Sequence, residues 1–282
     1  MASIELKNVS YTYNKSLPSK ITAVDDVSLK IDSGITGLIG HTGSGKSTLV
    51  QMLNGLIKPD QGEILLNGNN IWADPKKIRD IRFKVGLVMQ YPEYQLFADT
   101  VEDDIAFGPK NMGIEGEKLN ETVESAAFFA GISKDILKKS PFELSGGQKR
   151  RVALAGIIAM SPEILVLDEP AAGLDPAGRR DILGGIKVFS KIKNTTVIIV
   201  SHSMEDMAMY CDDIIVMAKS KVIAYGTCSE VFSQHELLTS TGLDVPQITR
   251  IAAALKKNGI DIGDDIYTVN YAVDKLIEKY KK

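Results

Sequence analysis

Apolar and polar residues alternate at the start of the chain, with Ile4 and Leu6 in residues 4–13 and Val27, Leu29 and Ile31 in residues 23–31. Alternation of that period predicts half-buried antiparallel strands. An unbroken apolar run at 35–39 follows, then Gly-rich sequence, then residues 47–56 with Leu49, Met52 and Leu53 at helical spacing. This is a strand, loop, helix unit. Residues 63–68 predict a strand entering a tight Asn67-Gly68 turn, and 85–89 another buried strand.

Between 91 and 144 the pattern changes to polar helical stretches punctuated by Pro and Gly, clearest at 121–130, with no apolar β run. An inserted helical subdomain, at about 92–145, is expected. Helix 148–160, strand 164–167, helix 179–192 and strands 197–200 and 214–217 then restore the α/β alternation that gives a mostly parallel sheet. Residues 229–238, 246–258 and 269–281 are predicted helical, the last carrying Ala272, Val273, Leu276 and Ile277. The expected fold is α/β: a mostly parallel sheet with an N-terminal antiparallel β region, an inserted helical subdomain and a small C-terminal helical domain. Its boundary is expected near residue 228, giving domains 1–228 and 229–282.

Composition narrows the functional classes. A chain of 282 residues with 44% hydrophobic and 24% charged residues can build a large core, and its mean hydropathy is near zero. The apolar runs are of buried-strand length, far below the roughly 18 to 20 residues of a bilayer span. The first residues have neither the basic flank nor the apolar core of an export signal, so membrane association is expected only through partners. A net charge of −3 lacks the basic footprint of nucleic-acid binding. Cys211 and Cys228 are too few and too far apart for a disulfide framework, and the three histidines show no ligand spacing.

Chemistry concentrates in a few segments. Gly40-His41-Thr42-Gly43-Ser44-Gly45-Lys46-Ser47, followed by Thr48, fits a phosphate loop between a predicted strand and a predicted helix. Its glycines let backbone N–H groups curl around an anion at a helix N-terminus. Lys46 can reach β- and γ-phosphate oxygens, Ser47 can ligate Mg²⁺, and His41 stands at a variable position with no role for its ring. Strand 164–167 delivers Asp168 and Glu169 to the edge of the sheet where open α/β proteins bind ligands. On an extended chain the two carboxylates face opposite ways, so Asp168 suits the metal side and Glu169 the role of general base. Leu144-Ser145-Gly146-Gly147-Gln148 makes a second anion-binding element, a Ser cap with exposed N–H groups. Lys149-Arg150-Arg151 is expected to be a solvated helix face.

The order of these segments resembles the ABC ATPase family over roughly residues 1–228: phosphate loop, Gln90, the 144–148 signature, Asp168-Glu169, Gly173-Leu174-Asp175, and His202 after a strand. The resemblance implies a RecA-like phosphate-loop NTPase binding ATP and Mg²⁺. In it Tyr13 stacks on adenine, Gln90 contacts Mg²⁺ and the attacking water, and His202 contacts the γ-phosphate. It also implies a head-to-tail dimer in which Ser145, Gly146, Gly147 and Gln148 complete the partner's ATP site, with Asp175 connecting the two sites. Tyr91-Pro92-Glu93-Tyr94-Gln95-Leu96-Phe97 and Asp104-Ile105-Ala106-Phe107-Gly108-Pro109 look like an energy-coupling-factor ATPase, specifically the second of its two paralogues, with a C-terminal extension used for dimerisation. That subtype implies a heterodimer with the other paralogue on the cytoplasmic face of the cell membrane. It also implies a transmembrane coupling subunit, a substrate-binding membrane subunit, and vitamins or transition-metal ions as cargo. An ordinary ABC importer subunit, a soluble ABC clamp and a nonhydrolysing regulatory module are the alternatives, and intact Glu169 speaks against the last. Residues 91–104, with Glu93, Asp99, Glu102, Asp103 and Asp104 among aromatics, are expected to receive Arg-bearing helices of the transmembrane subunit.

Overall fold

The structure is a computed structural model describing residues 1–280; position 281 of the expected last helix lies outside the described residues. The elements run β1 (Ile4–Tyr13), β2 (Ile21–Ile31), β3 (Ile35–Gly40), α1 (Lys46–Leu53), β4 (Gln61–Leu66), β5 (Asn69–Asn70), α2 (Ile78–Lys84) and β6 (Val85–Val88). The helical insertion follows with α3 (Val101–Asn111) and α4 (Gly116–Phe129), and α5 (Gly146–Ile158) leads back to β7 (Ile164–Asp168). Then come α6 (Pro176–Lys193), β8 (Thr196–Val200), α7 (Met204–Tyr210), β9 (Asp213–Ala218) and β10 (Lys221–Thr227). The chain closes with α8 (Cys228–Phe232), α9 (His235–Ser240), α10 (Gln247–Lys257) and α11 (Val269–Tyr280).

Two sheets form. One is antiparallel, in the order β2-β1-β4-β5, and the expected Asn67-Gly68 turn joins β4 to β5 with both residues at positive φ. The other has six strands, β10-β9-β3-β8-β7-β6, parallel except for β10. The alternation along its buried strands divides the core in two. Ile39, Leu165, Leu167, Val197 and Ile199 face the helices α3 to α6, whereas Leu38, Ile164, Val166, Ile198 and Val200 face α1 and the antiparallel sheet. Burying each such side chain contributes roughly 1.5–3 kcal/mol, so the parallel sheet is held from both faces and its strand ends are fixed.

Strand β10 and helix α2 are among the elements that escaped the pattern. Strand β10 alternates only between intermediate and exposed residues, because it is an edge strand with little apolar signature. Helix α2 buries none of its residues. At the C-terminal end, Cys228, Val231, Phe232, Leu238, Leu243 and Val245 belong to the main core. Ala252, Ile262, Ile266 and Ala272 form a separate small cluster, tied by a Thr249 hydroxyl donating to the Ile266 carbonyl at 2.7 Å.

Candidate nucleotide site

The register of the parallel sheet assembles the site. Val88 pairs with Leu167, Asp168 with Val200, and Leu38 with Val200 across β8, so the chain leaves β3, β6, β7 and β8 along one sheet edge. Those exits carry the phosphate loop, Gln90, Asp168-Glu169 and His202. They line a single cleft of about 390 Å³ together with Tyr13 of β1. Ligand pockets start at about this size.

Loop 40–48 is shaped by its glycines at two positions. Gly45 has φ +103°, and a Cβ there would stand 2.0 Å from the Ala23 carbonyl oxygen. Any side chain at Gly40 would meet the Met217 carbonyl and Ser44 Oγ at 2.5 Å. Gly45 caps α1 without a side-chain acceptor, so the first N–H groups of that helix are directed into the loop. Lys46 is buried and folds back, its Nζ donating to the carbonyls of Gly40 (2.6 Å) and His41 (3.0 Å). Burial pushes its pKa down, opposed by the charges of Glu169 and Asp168. The His41 ring stays local, with Nδ1 2.7 Å from the Thr42 carbonyl. Tyr13 is partly exposed on the rim with its hydroxyl 3.3 Å from that of Thr48.

Both carboxylates line the cleft, though the pleat of a strand does not present the second. Asp168 ends β7, and Glu169 adopts φ +53°, a left-handed residue rather than an alternating extended one. Burial raises the pKa of Asp168, countered by the Ser47 hydroxyl and by Lys46. Glu169 is pushed up to about 7, first by burial and then by the Asp168 charge. Its Oε1 is buried without a hydrogen-bond partner. The His202 Nε2 lies 3.6 Å from it, yet burial and Lys46 lower the pKa of His202, so this contact joins a neutral imidazole to a carboxyl rather than two charges. A carboxyl poised near neutrality beside a phosphate-shaped loop can take a proton from a water attacking a phosphate.

The remaining expected residues lie outside the cleft. Ser145 caps α5 in a capping box: its Oγ accepts from the Gln148 N–H at 3.4 Å, and its own N–H donates to Gln148 Oε1 at 2.9 Å. Gly146 is exposed at that helix start, and a Cβ on Gly147 would sit 3.4 Å from Leu174. Asp175 is exposed and caps α6, accepting from Gly178 at 2.6 Å. Ile21, Ala23 and Val200 complete the cleft wall although nothing in their sequence context marked them, and Asp206 adds to the negative field on Glu169.

One expectation is corrected and one is narrowed. Residues 149–151 are not a solvated face: Arg150 is buried against Glu93, and Arg151 pairs with Asp181 at 3.1 Å and reaches the Ala130 carbonyl. The acids of 91–104 are largely spoken for within the chain. Asp104 is buried and accepts from the Phe97 and Ala98 N–H groups, Asp103 from Thr100 and Lys110, and Glu102 pairs with Lys138 at 2.5 Å. Asp99 stays on the surface with the exposed rings of Tyr91, Tyr94 and Phe97.

Comparison with known proteins shows the family. The profile of the family described as ABC transporter matches residues 24–172. The energy-coupling factor transporter ATP-binding protein EcfA2 of Caldanaerobacter subterraneus is 52% identical, over 97% of this chain and 96% of its own. The chain belongs to the energy-coupling-factor branch of the ABC transporter ATPases. A further member of that family, EcfA2 of Clostridioides difficile, is 50% identical over 98% of this chain and 97% of its own. Among solved structures, cbiO1 of Clostridium perfringens, part of the ABC transporter complex cbiONQ, superposes with a TM-score of 0.75 at 35% identity, covering 87% of this chain and 96% of that one. The ATP-binding cassette MJ0796, a dimer bound to ADP and phosphate, has a TM-score of 0.72 at 27% identity, covering 80% of this chain and 98% of that one. An energy-coupling-factor ATPase binds ATP and couples its hydrolysis to transport, and this chain is such a subunit. Among the described residues no helix is long and apolar enough to cross a membrane.

Proposed function

We propose that this energy-coupling-factor ATPase carries out its hydrolysis with Glu169 as the general base in a site that one chain only half supplies. Tyr13 stacks on adenine, while the backbone of Gly40, His41, Thr42, Gly43, Ser44, Gly45 and Thr48 cradles the phosphates. Lys46 exchanges its two carbonyl partners for phosphate oxygens. Glu169 orients the attacking water and takes its proton, and Gln90 and His202 hold the water and the γ-phosphate in line. The observation that carries this reading is Glu169 itself: half-buried, with a buried, unpartnered Oε1 and a pKa pushed up to about 7, lining the same cleft as Lys46.

The residues present fit Mg²⁺. Ser47, Asp168 and Gln90 offer hard oxygen ligands in one cleft. No cluster of three or more His, Cys, Asp or Glu among the described residues forms a protein-only cage, as suits a cation bound jointly by protein, water and phosphate. When bound, Mg²⁺ neutralises charge on the β- and γ-phosphates.

Ser145, Gly146, Gly147 and Gln148 complete the ATP site of a second ATPase subunit, with Asp175 between the two sites. That subunit is the non-identical paralogue, and the separate cluster around Ala252 and Ile266, with the rest of the region beyond 228, serves dimerisation. The surface of Tyr91, Tyr94, Phe97 and Asp99 meets the transmembrane coupling subunit. The chain thereby sits peripherally on the cytoplasmic face of the cell membrane and powers uptake of vitamins or transition-metal ions captured by a substrate-binding membrane subunit. No nucleic acid takes part. The test is steady-state hydrolysis by the purified complex with Glu169→Gln in this chain and the matching base removed from its partner. Turnover should fall about 100-fold or more while ATP still binds. Wild-type turnover would remove Glu169 from the chemistry.

A further inference from the structure

Beside the phosphate loop and His202, three segments carry residues assigned to the site: 90–97 with Gln90, 145–148 at the head of α5, and 169–175 running from Glu169 to Asp175. One side chain, carried by the helix that the second segment opens, bonds to the other two. Arg150, in the second turn of α5, is only 6% exposed. Its Nε and Nη2 donate to the two carboxylate oxygens of Glu93, at 3.2 and 2.9 Å, in a bidentate pair. Its Nη1 donates to the carbonyl of Ala172. Glu93 lies in the short 3₁₀ turn Pro92–Gln95, three residues after Gln90, with Tyr91 between them at φ +56°. The Ala172 N–H donates to the Glu169 carbonyl at 3.2 Å, so the carbonyl that Arg150 grips belongs to the turn that aims Glu169.

A buried ion pair is a poor device for stability alone, because apolar residues of similar volume usually do as well or better. What a bidentate guanidinium adds is direction: its planar fork fixes the relative position and angle of the groups it joins. Here the groups joined are the backbone turns behind Gln90 and Glu169 and the helix that presents residues 145–148. Leu174 beside Gly147 makes a second contact between the last two segments.

We propose that Arg150 is a positioning residue for turnover, clamping Glu93 and the Ala172 turn to α5 so that Gln90, Glu169 and the 145–148 edge move as one body. A displacement of the coupling surface around Tyr94 then reaches the catalytic carboxyl and the partner's ATP site together. This rests on the roles given above to Gln90 and Glu169.

The experiment uses the assembled transporter carrying Glu93→Gln, Arg150→Lys, or both, with Glu169→Gln alongside. For each, kcat and KM for ATP and the substrate moved per ATP are measured per folded, ATP-binding complex. Glu93→Gln and Arg150→Lys should each lower kcat roughly 10- to 100-fold, with KM unchanged and less substrate moved per ATP, since slight misplacement of catalytic groups has effects of that size. The double variant should be no worse than the poorer single, because the two residues act as one unit. Unchanged kcat and unchanged coupling, even with a lower melting temperature, would show a purely structural pair and overturn the proposal. If Arg150→Lys does not assemble, Glu93→Gln decides alone, since it keeps side-chain size and leaves Arg150 its Ala172 carbonyl. Retained turnover in Glu169→Gln would sink the assignment of the base, whereas the clamp stands or falls on its own kcat.

Discussion

Residues 40–48 and residues 145–148 are both glycine-bearing loops that open a helix, and both were expected to bind anions, yet they are built in opposite ways. In the first, the helix cap is a glycine with no side-chain acceptor, a lysine is folded into the loop, and two acids and a histidine close the same cleft. In the second, Ser145 and Gln148 exchange hydrogen bonds with each other, Ser145 and Gly146 are exposed, and none of these residues lines the cleft. The first loop faces a cleft built within its own chain. The second is an edge whose helix start is capped locally by Ser145 and Gln148 and whose Gly146 is exposed. A helix start held in place by its own capping box suits a head-to-tail partner, because little ordering entropy then opposes association.

The comparison breaks most sharply at Lys46. Lys46→Ala should weaken ATP binding by the isolated chain roughly 10- to 100-fold, the scale of a lost charge-assisted hydrogen bond. Fluorescent-nucleotide titration checks this, and equal affinity would show that the loop binds through its backbone alone.

A smaller effect concerns the cost of holding Glu169 in the first region. Its pKa is about 7 in the folded chain against 4.5 ordinarily, so the folded state holds the proton more tightly. Stability from this group is therefore greatest below 4.5 and declines as pH rises through the window up to about 7. Glu169→Gln lacks that slope. Melting curves of the two nucleotide-free proteins should diverge in favour of the variant across this window and run parallel above it. Parallel curves throughout would mean that the carboxyl is not strained by its surroundings.

Much of the fold was legible because buried strands and amphipathic helices carry their burial in their period, and the parallel sheet follows from 164–167, 197–200 and 214–217. The edge strand Lys221–Thr227 and the surface helix Ile78–Lys84 were not, since neither has a buried face to write a pattern. Local spacing located the phosphate loop and the Asp168-Glu169 pair, but not the left-handed turn at Glu169 or the burial of Arg150. Arg150 sits in a run of three basic residues that looks solvated, and its partners Glu93 and Ala172 are 57 and 22 positions away. Long-range pairing of charges leaves no periodic trace, so the side chain that ties the 90–97 and 169–175 segments to α5 was the one least visible along the chain.

The account turns on the claim that residues 145–148 act on an ATP molecule held by another subunit. ATP-dependent association of the Glu169→Gln chain with the second ATPase subunit, followed by analytical ultracentrifugation with and without a further Ser145→Arg change, tests it most directly. The prediction is that ATP drives association of the Glu169→Gln chain, and that Ser145→Arg abolishes this association while leaving ATP binding by its own chain unchanged. Association that survives Ser145→Arg, or ATP binding within the chain that is lost with it, would contradict a site shared between two subunits.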